Sequence, residues 1–347
     1  MSKIVCPKRI LLIRLDRIGD VVLSTPVVKA LRKAHPDSYI AMMVSPYARD
    51  IVAGNPYLDE VIIYDKNGKD KGALNIFRLA VRLRKKDFDT VVVLHPSERS
   101  HLISFLAGIP TRVGYDRKFS FLLTKRIPHT KQYGLKHESD YALDMVRYIG
   151  VDASEKDLFV PVSDISEKKI ADMFEAHGVT GSDKIIVFNP GASCASKRWP
   201  PERFAHVADM CVRKHGARVV VISGHSDKIN ASNMVSCMSE KYLNLTGYTT
   251  VSDLPSVLKR AMIFVSNDSG PVHIACAVGT PVIAIFGRND RGLSPDRWGP
   301  IGKRDVVLKK DVGCHICLAH NCRSAFKCLD AITVDDVMSS IDTMLTH

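Results

Sequence analysis

Three short polar segments in this chain of 347 residues hold the residue types that bind and neutralise anions or move protons. In the second half, Ser266-Asn267-Asp268-Ser269-Gly270-Pro271-Val272-His273 follows the apolar run Ile263-Phe264-Val265 and leads to Pro281-Val282-Ile283-Ala284-Ile285-Phe286-Gly287. The pattern is strand, turn, short helix, strand. Asp268 or Ser269 can cap the helix, Pro271 suits its first position, and Gly279 suits the residue past its end. Such a turn aims unpaired N–H groups and the positive end of the helix dipole at one point, so Ser269 and Gly270 can cradle a phosphate. A well-capped βαβ turn without a ligand has the same pattern.

A second segment, Asn189 to Pro200, leaves another strand-like run. Gly191 lets the backbone approach a ligand, Ser193 offers a hydroxyl, and Lys197 with Arg198 can neutralise a diphosphate. An ordinary loop anchored by Trp199 is the alternative. The third segment, Asp16-Arg17-Ile18-Gly19-Asp20, follows Ile10 to Leu15 and precedes a helical pattern. It puts the Asp20 carboxylate at the carboxyl end of a strand, where α/β sheets bind ligands. A first-turn carboxylate complementing the helix dipole would also sit there. Neither three-glycine dinucleotide fingerprint nor G-x-x-x-x-G-K-[ST] loop occurs.

Alternating elements must position these loops. Strand-like runs at 10–15, 39–44, 60–64 and 90–94 are separated by helical patterns at 21–34, 46–53 and 73–86, the signature of a parallel sheet. A helical pattern at 140–149 ends at Gly150, and 151–163 looks like a connector. A new series follows: strand 184–188, helix 201–214, strand 218–222, helices 227–240 and 252–260, then the turn described first. A chain this long exceeds the usual limit of one core, about 250 to 300 residues. We therefore expect two α/β domains, residues 1–163 and 164–330, facing each other across a cleft, with a final helix in 331–347 that could cross back to the first.

Hydrophobic residues at 46% and charged residues at 25% exclude a disordered chain. No apolar stretch approaches the roughly 20 residues that span a bilayer, and the first residues lack a signal-peptide core, which points to the cytoplasm. The net charge of +12 is uneven: residues 1–163 hold 27 Lys and Arg against 18 Asp and Glu, residues 164–347 hold 22 against 19. Arg82, Arg84, Lys85 and Lys86 read as a solvated helix face. The cations of 117–136, among them Lys118, Arg126, Lys131 and Lys136, read as a loop near the cleft facing an anionic partner. Nucleic acid is not expected, since no binding module or aromatic-interleaved basic stripe is present. Nine cysteines are scattered as reduced thiols would be, except Cys314-x2-Cys317-x4-Cys322-x5-Cys328 with His315 and His320, whose spacing allows a zinc site or free thiols.

These motifs together resemble the ADP-heptose:lipopolysaccharide heptosyltransferases of glycosyltransferase family nine. The carriers are Arg14-Leu15-Asp16-Arg17-Ile18-Gly19-Asp20 with Thr25-Pro26, Asn189 to Ser193 with Lys197-Arg198-Trp199-Pro200, and Asn267 to Ala275 with Phe286-Gly287. The resemblance implies the GT-B fold, two Rossmann-like domains, with the acceptor in the first and the nucleotide-sugar donor in the second. It implies Asp20 as general base, Lys197 stabilising the departing diphosphate, and inversion at the anomeric carbon. Gly191, Ser193, Asp268, Ser269, Gly270 and His273 fall on the donor side, with Asp227 a candidate for gripping the ribose. Arg17, Lys118, Arg126, Lys131 and Lys136 fall on the acceptor side. The donor would be ADP-L-glycero-D-manno-heptose or a related nucleotide sugar, and the acceptor a lipid-anchored, anionic inner core at the cytoplasmic membrane surface. The chemistry calls for no metal or other cofactor. Two departures stand out: Arg288-Asn289-Asp290 where many relatives carry a threonine, and Ala192 with Cys194-Ala195 where they are hydroxyl-rich. An epimerase on the same scaffold, or a non-catalytic nucleotide- or glycan-binding protein, are the other readings.

Overall fold

The computed structural model describes residues 7–224, 227–314 and 316–346. The chain forms two compact units, the first made of residues 1–131 and 138–161, the second of 132–137 and 162–347. The first unit holds six strands: β1 (Arg9–Arg14), β2 (Tyr39–Val44), β3 (Glu60–Ile63), β4 (Thr90–Val93), β5 (Thr111–Tyr115) and β6 (Lys125–Ile127). All neighbours are parallel, in the order β3-β2-β1-β4-β5-β6. The central strands are apolar on both faces, as a sheet covered by helices on each side requires. Ile10 to Ile13 and Val91 to Val93 are wholly buried.

The second unit repeats the plan with β7 (Ile185–Asn189), β8 (Arg218–Val221), β9 (Tyr242–Asn244), β10 (Ile263–Asn267), β11 (Val282–Ile285) and β12 (Val306–Leu308), ordered β12-β11-β10-β7-β8-β9. Both sheets are doubly wound in the Rossmann manner. The strand order reverses between β1 and β4 in one unit and between β7 and β10 in the other. Connections leaving two such strands run to opposite faces of the sheet, which opens a crevice at their carboxyl ends. The three polar segments are the loops leaving β1, β7 and β10.

Local chemistry shapes those loops. The helical pattern at 21–34 is two helices, Ile18–Val22 and Thr25–Ala34. Thr25 Oγ1 donates to the Val22 carbonyl at 2.7 Å and Ser24 Oγ to that of Asp20 at 2.8 Å, so side chains take up carbonyls freed at the break. Asp20 lies in the first turn of the shorter helix. The connector lies along the helix Thr25–Ala34, where Lys29 pairs with Glu155 and Asp157 and Phe159 N donates to Thr25 Oγ1. The units divide within it, between Pro161 and Val162, and the short segment Gln132–His137 belongs to the second unit.

The final helix, Val334–Thr346, packs within the second unit: Val337, Met338, Ile341 and Met344 are buried in its core, with Val207 and Cys211 of the helix Pro201–His215. Four apolar residues at helical spacing needed a partner, and that helix supplies it. Among the described residues no helix is long and apolar enough to cross a membrane.

Candidate active site

At the carboxyl end of β1 sits a buried cation. Arg14 is 0% exposed, and its guanidinium donates to Asp16 Oδ1 (2.7 Å), Asp20 Oδ1 (2.7 Å), Glu138 Oε1 (3.0 Å) and the Leu94 carbonyl (3.3 Å). Glu138, itself buried at the start of the helix Glu138–Arg147, also accepts from Lys131 Nζ at 2.6 Å. The Lys131 ammonium lies 4.8 Å from the ring centroid of Tyr115 and 5.7 Å from that of Tyr141. Three carboxylates thus share two cations in a largely dehydrated setting, where charges tolerate burial only when paired. The Asp20 side chain keeps 12% of its surface open, enough to reach a ligand while its orientation is set from behind by Arg14.

Asp16 behaves differently from an exposed aspartate. Burial pushes its carboxyl up to about 7, the Arg14 charge pulls the other way, and the Asp20 and Glu138 charges add to the rise. His95, in the loop leaving β4, faces it with Nδ1 3.2 Å from Asp16 Oδ2. Its protein surroundings, then Arg14 and Lys131, lower the basicity of that imidazole, so the ring is neutral at neutral pH. The loops on either side of the strand-order reversal therefore meet at Asp16 and His95.

The sequence-named cations divide. Arg17, Lys118 and Arg126 are exposed in the first unit. Lys131, expected as an exposed cation, is 2% exposed and serves Glu138. Lys136 is exposed but belongs to the second unit.

In the second unit the loops leaving β7 and β10 are laced together. Asn189 and Ser266 are register partners, and Asn189 Nδ2 donates to Ser266 Oγ (3.0 Å) and Ser269 Oγ (2.9 Å). Asn267 accepts from Trp199 N and donates to the Pro190 carbonyl. Ser269 is the N-cap of the helix Gly270–Val278, but its hydroxyl turns to Asn189 and Ser266 and makes no cap hydrogen bond. Pro271 is accordingly the second helical residue, and Gly279 ends the helix in the left-handed conformation, φ 82°. Lys197 Nζ lies 2.6 Å from Asp268 Oδ2, both side chains nearly buried, so the carboxylate of one loop fixes the ammonium of the other. His273 is buried one turn into the helix.

Gly191 is closely packed: a Cβ there would stand 3.0 Å from both Asp227 Cβ and Ser223 Oγ. Asp227 stands at the N-cap position of the helix Lys228–Ser236 without a cap hydrogen bond, accepts from Asn230 Nδ2 and lies 3.6 Å from Arg198; His225 and Ser226 before it are outside the described residues. Ser193 is exposed at the mouth of the loop. The two departures noted in the sequence are joined. Buried Arg288 donates to Cys194 Sγ (2.8 Å) and Ser196 Oγ (3.1 Å). Burial opposes ionisation of the Cys194 thiol, yet the Ser196 hydrogen bond and the Arg288 and Lys197 charges together lower its pKa. Cys314, Cys317, Cys322 and Cys328 line one cavity of about 340 Å³. Among the described residues no three His, Cys, Asp or Glu side chains are arranged to hold a metal, and His315 lies outside them.

A model of glycosyltransferase family 9 (heptosyltransferase) matches residues 76–327. The chain belongs to glycosyltransferase family 9. Lipopolysaccharide heptosyltransferase 2 of Salmonella typhimurium is 27% identical over 321 residues, spanning 88% of this chain and 89% of that protein. Among solved structures, a glycosyl transferase family 9 protein from Veillonella parvula superposes with a TM-score of 0.88 at 28% identity, covering 98% and 97% of the two chains. The E. coli ADP-heptose lps heptosyltransferase II superposes at 0.80 with 22% identity, covering 97% and 98%, and shares the GT-B fold. The protein is thus a glycosyltransferase, which disfavours the epimerase and binding-protein readings. The family match covers β7, β10 and their loops; the Asp20 loop lies before it.

Proposed function

We propose that this family 9 enzyme moves a heptose from ADP-L-glycero-D-manno-heptose, or a related nucleotide sugar, to a hydroxyl of the lipopolysaccharide inner core with inversion of the anomeric centre. Residues 1–163 bind the acceptor and 164–330 the donor. Asp20 is the general base: it accepts the proton of the attacking hydroxyl, and Arg14 holds its carboxylate in one orientation. Lys197, set by Asp268, meets the negative charge that grows on the departing ADP, and the N–H groups of Ser269 and Gly270 support it. Gly191 and Ser193 lie against the donor, Asp227 near its ribose, and His273 packs behind. Arg17, Lys118 and Arg126 meet anionic groups of the acceptor. No metal takes part. The enzyme works in the cytoplasm, bound peripherally to the anionic inner membrane that carries its acceptor.

The observation that carries this reading is the placement of a buried-arginine-backed carboxylate and a carboxylate-backed lysine at the two strand-order reversals. The relatives' names supply the sugar and the acceptor class. A donor screen tests it, ADP-sugars against UDP- and GDP-sugars with a heptose-deficient inner core, products weighed by mass spectrometry. Transfer from ADP-heptose alone supports the assignment, and transfer only from a UDP- or GDP-sugar rejects it.

A further inference from the structure

Between β5 and β6 the first unit exposes what a soluble surface ordinarily hides. Phe119 precedes the short 3-10 turn Ser120–Leu122 and Phe121 lies within it, 42% and 72% exposed, with ring centroids 5.7 Å apart. Lys118 before them holds a left-handed backbone, φ 58°, which turns the chain into that tip. Arg112 joins the tip to the adjacent helix Glu98–Leu106: its Nε donates to the Leu122 carbonyl at 2.6 Å while its guanidinium lies 5.6 Å from the centroid of Phe105, itself 47% exposed. Arg117, Lys118, Lys125 and Arg126 surround the rings in sequence and are exposed; the single carboxylate of this segment, Asp116, accepts from Ser120 and faces Arg126 at 3.8 Å. Lysine and arginine on the edge strand β6 guard it against pairing with another sheet. Exposed phenyl rings do the reverse, so the charges alone do not account for the patch.

We propose that this tip is a membrane wedge: Phe119 and Phe121 enter the headgroup layer of an anionic bilayer, and Arg117 and Lys125 bind its phosphates. Rings and cations play separate parts. Apolar surface inserted at the interface adds affinity that salt barely touches, while each nearby cation contributes a part that salt screens. The tip leaves the carboxyl end of β5, the strand beside β4 whose loop carries His95, so the wedge adjoins the Asp16–His95 end of the candidate site. A lipid-anchored acceptor in the same bilayer would be presented there. The wedge rests on the lipid-acceptor reading.

Flotation of the full chain with vesicles of phosphatidylglycerol and phosphatidylethanolamine, against phosphatidylcholine, tests it at low and high salt. The Phe119→Ser/Phe121→Ser variant is expected to lose about tenfold in partition at both salt levels, and Arg117→Gln/Lys125→Gln to lose binding mainly at low salt. The indole fluorescence that a Phe121→Trp variant adds should be quenched by brominated acyl chains. The Phe double variant should keep the wild-type rate on a water-soluble acceptor fragment. Wild-type binding undiminished in the Phe double variant, with the introduced indole unquenched, overturns the wedge and leaves peripheral binding standing. Wild type that ignores both vesicle types overturns both, and a dimer that the Phe variant dissociates makes the patch a subunit interface and overturns the wedge.

Discussion

Exchanging Arg14 for Gln removes a cation that touches Asp16, Asp20 and Glu138 together and leaves Lys131 paired with Glu138 alone of the three. Glu138 is 1% exposed, and Asp16 and Asp20 are mostly covered. Breaking a buried ion pair from one side costs about 3–5 kcal/mol, because the remaining charge stays desolvated. With a urea dependence of about 2 kcal/mol/M, the midpoint of the first unit should fall by about 1.5–2.5 M. Carboxylates left without the guanidinium are neutralised by protons as pH falls, so the loss should shrink from pH 8 to pH 5. Arg14→Lys keeps the charge but cannot reach three carboxylates and the Leu94 carbonyl at once, and should lose about half as much. Urea titration followed by circular dichroism at both pH values reads this directly. A loss below about 1 kcal/mol at pH 8, or one equal at both pH values, would refute the argument that Arg14 organises the cluster.

Lys197→Ala should raise the donor KM and lower kcat by about a hundredfold, since it removes a fixed charge from the leaving group; steady-state kinetics that match wild type would count against that role. Asp16 carries a folded-state pKa near 7, above its ordinary value near 4, so the folded protein holds an extra proton between those values and loses stability as pH rises across them. Asp16→Asn has no such proton. Its stability relative to wild type should therefore improve from pH 5 to pH 8, and a difference that stays flat over that range would show that Asp16 titrates ordinarily. At Gly287 a Cβ would stand 2.8 Å from the Ser196 carbonyl and 2.7 Å from Leu329 Cγ, so Gly287→Ala should cost about 1–3 kcal/mol in thermal unfolding of the second unit; an unshifted melting temperature would contradict the close packing.

Strands with four or more apolar or β-branched residues between turn signals were readable: 39–44 coincides with β2, and 10–15 and 90–94 match β1 and β4 within a residue. The short strands β6, β9 and β12 carry three residues each, too few for a period to emerge, and took their places by pairing with an existing edge. The helix Glu98–Leu106 was missed because buried Ser100, His101 and Ser104 blur its apolar face. The strand-end positions of the loops carrying Asp20, Lys197 and Asp268–Gly270 were legible because each loop leaves an apolar run. Arg14 had a signal that went unused: a cation ending a buried central strand needs anionic partners. Glu138 gave none, since it reaches Arg14 across 124 positions and only the folded chain joins them. Lys131 misled for the same reason, its buried partner being invisible to a count of charges.

The central claim is tested most directly by one comparison, the rate of heptose transfer from ADP-heptose to a heptose-deficient inner core by wild type and by Asp20→Asn, with ADP-heptose affinity measured on the same samples. The account predicts transfer by wild type, a variant slower by roughly a hundredfold or more, and donor affinity nearly unchanged. An Asp20→Asn enzyme that keeps most of its turnover would contradict it.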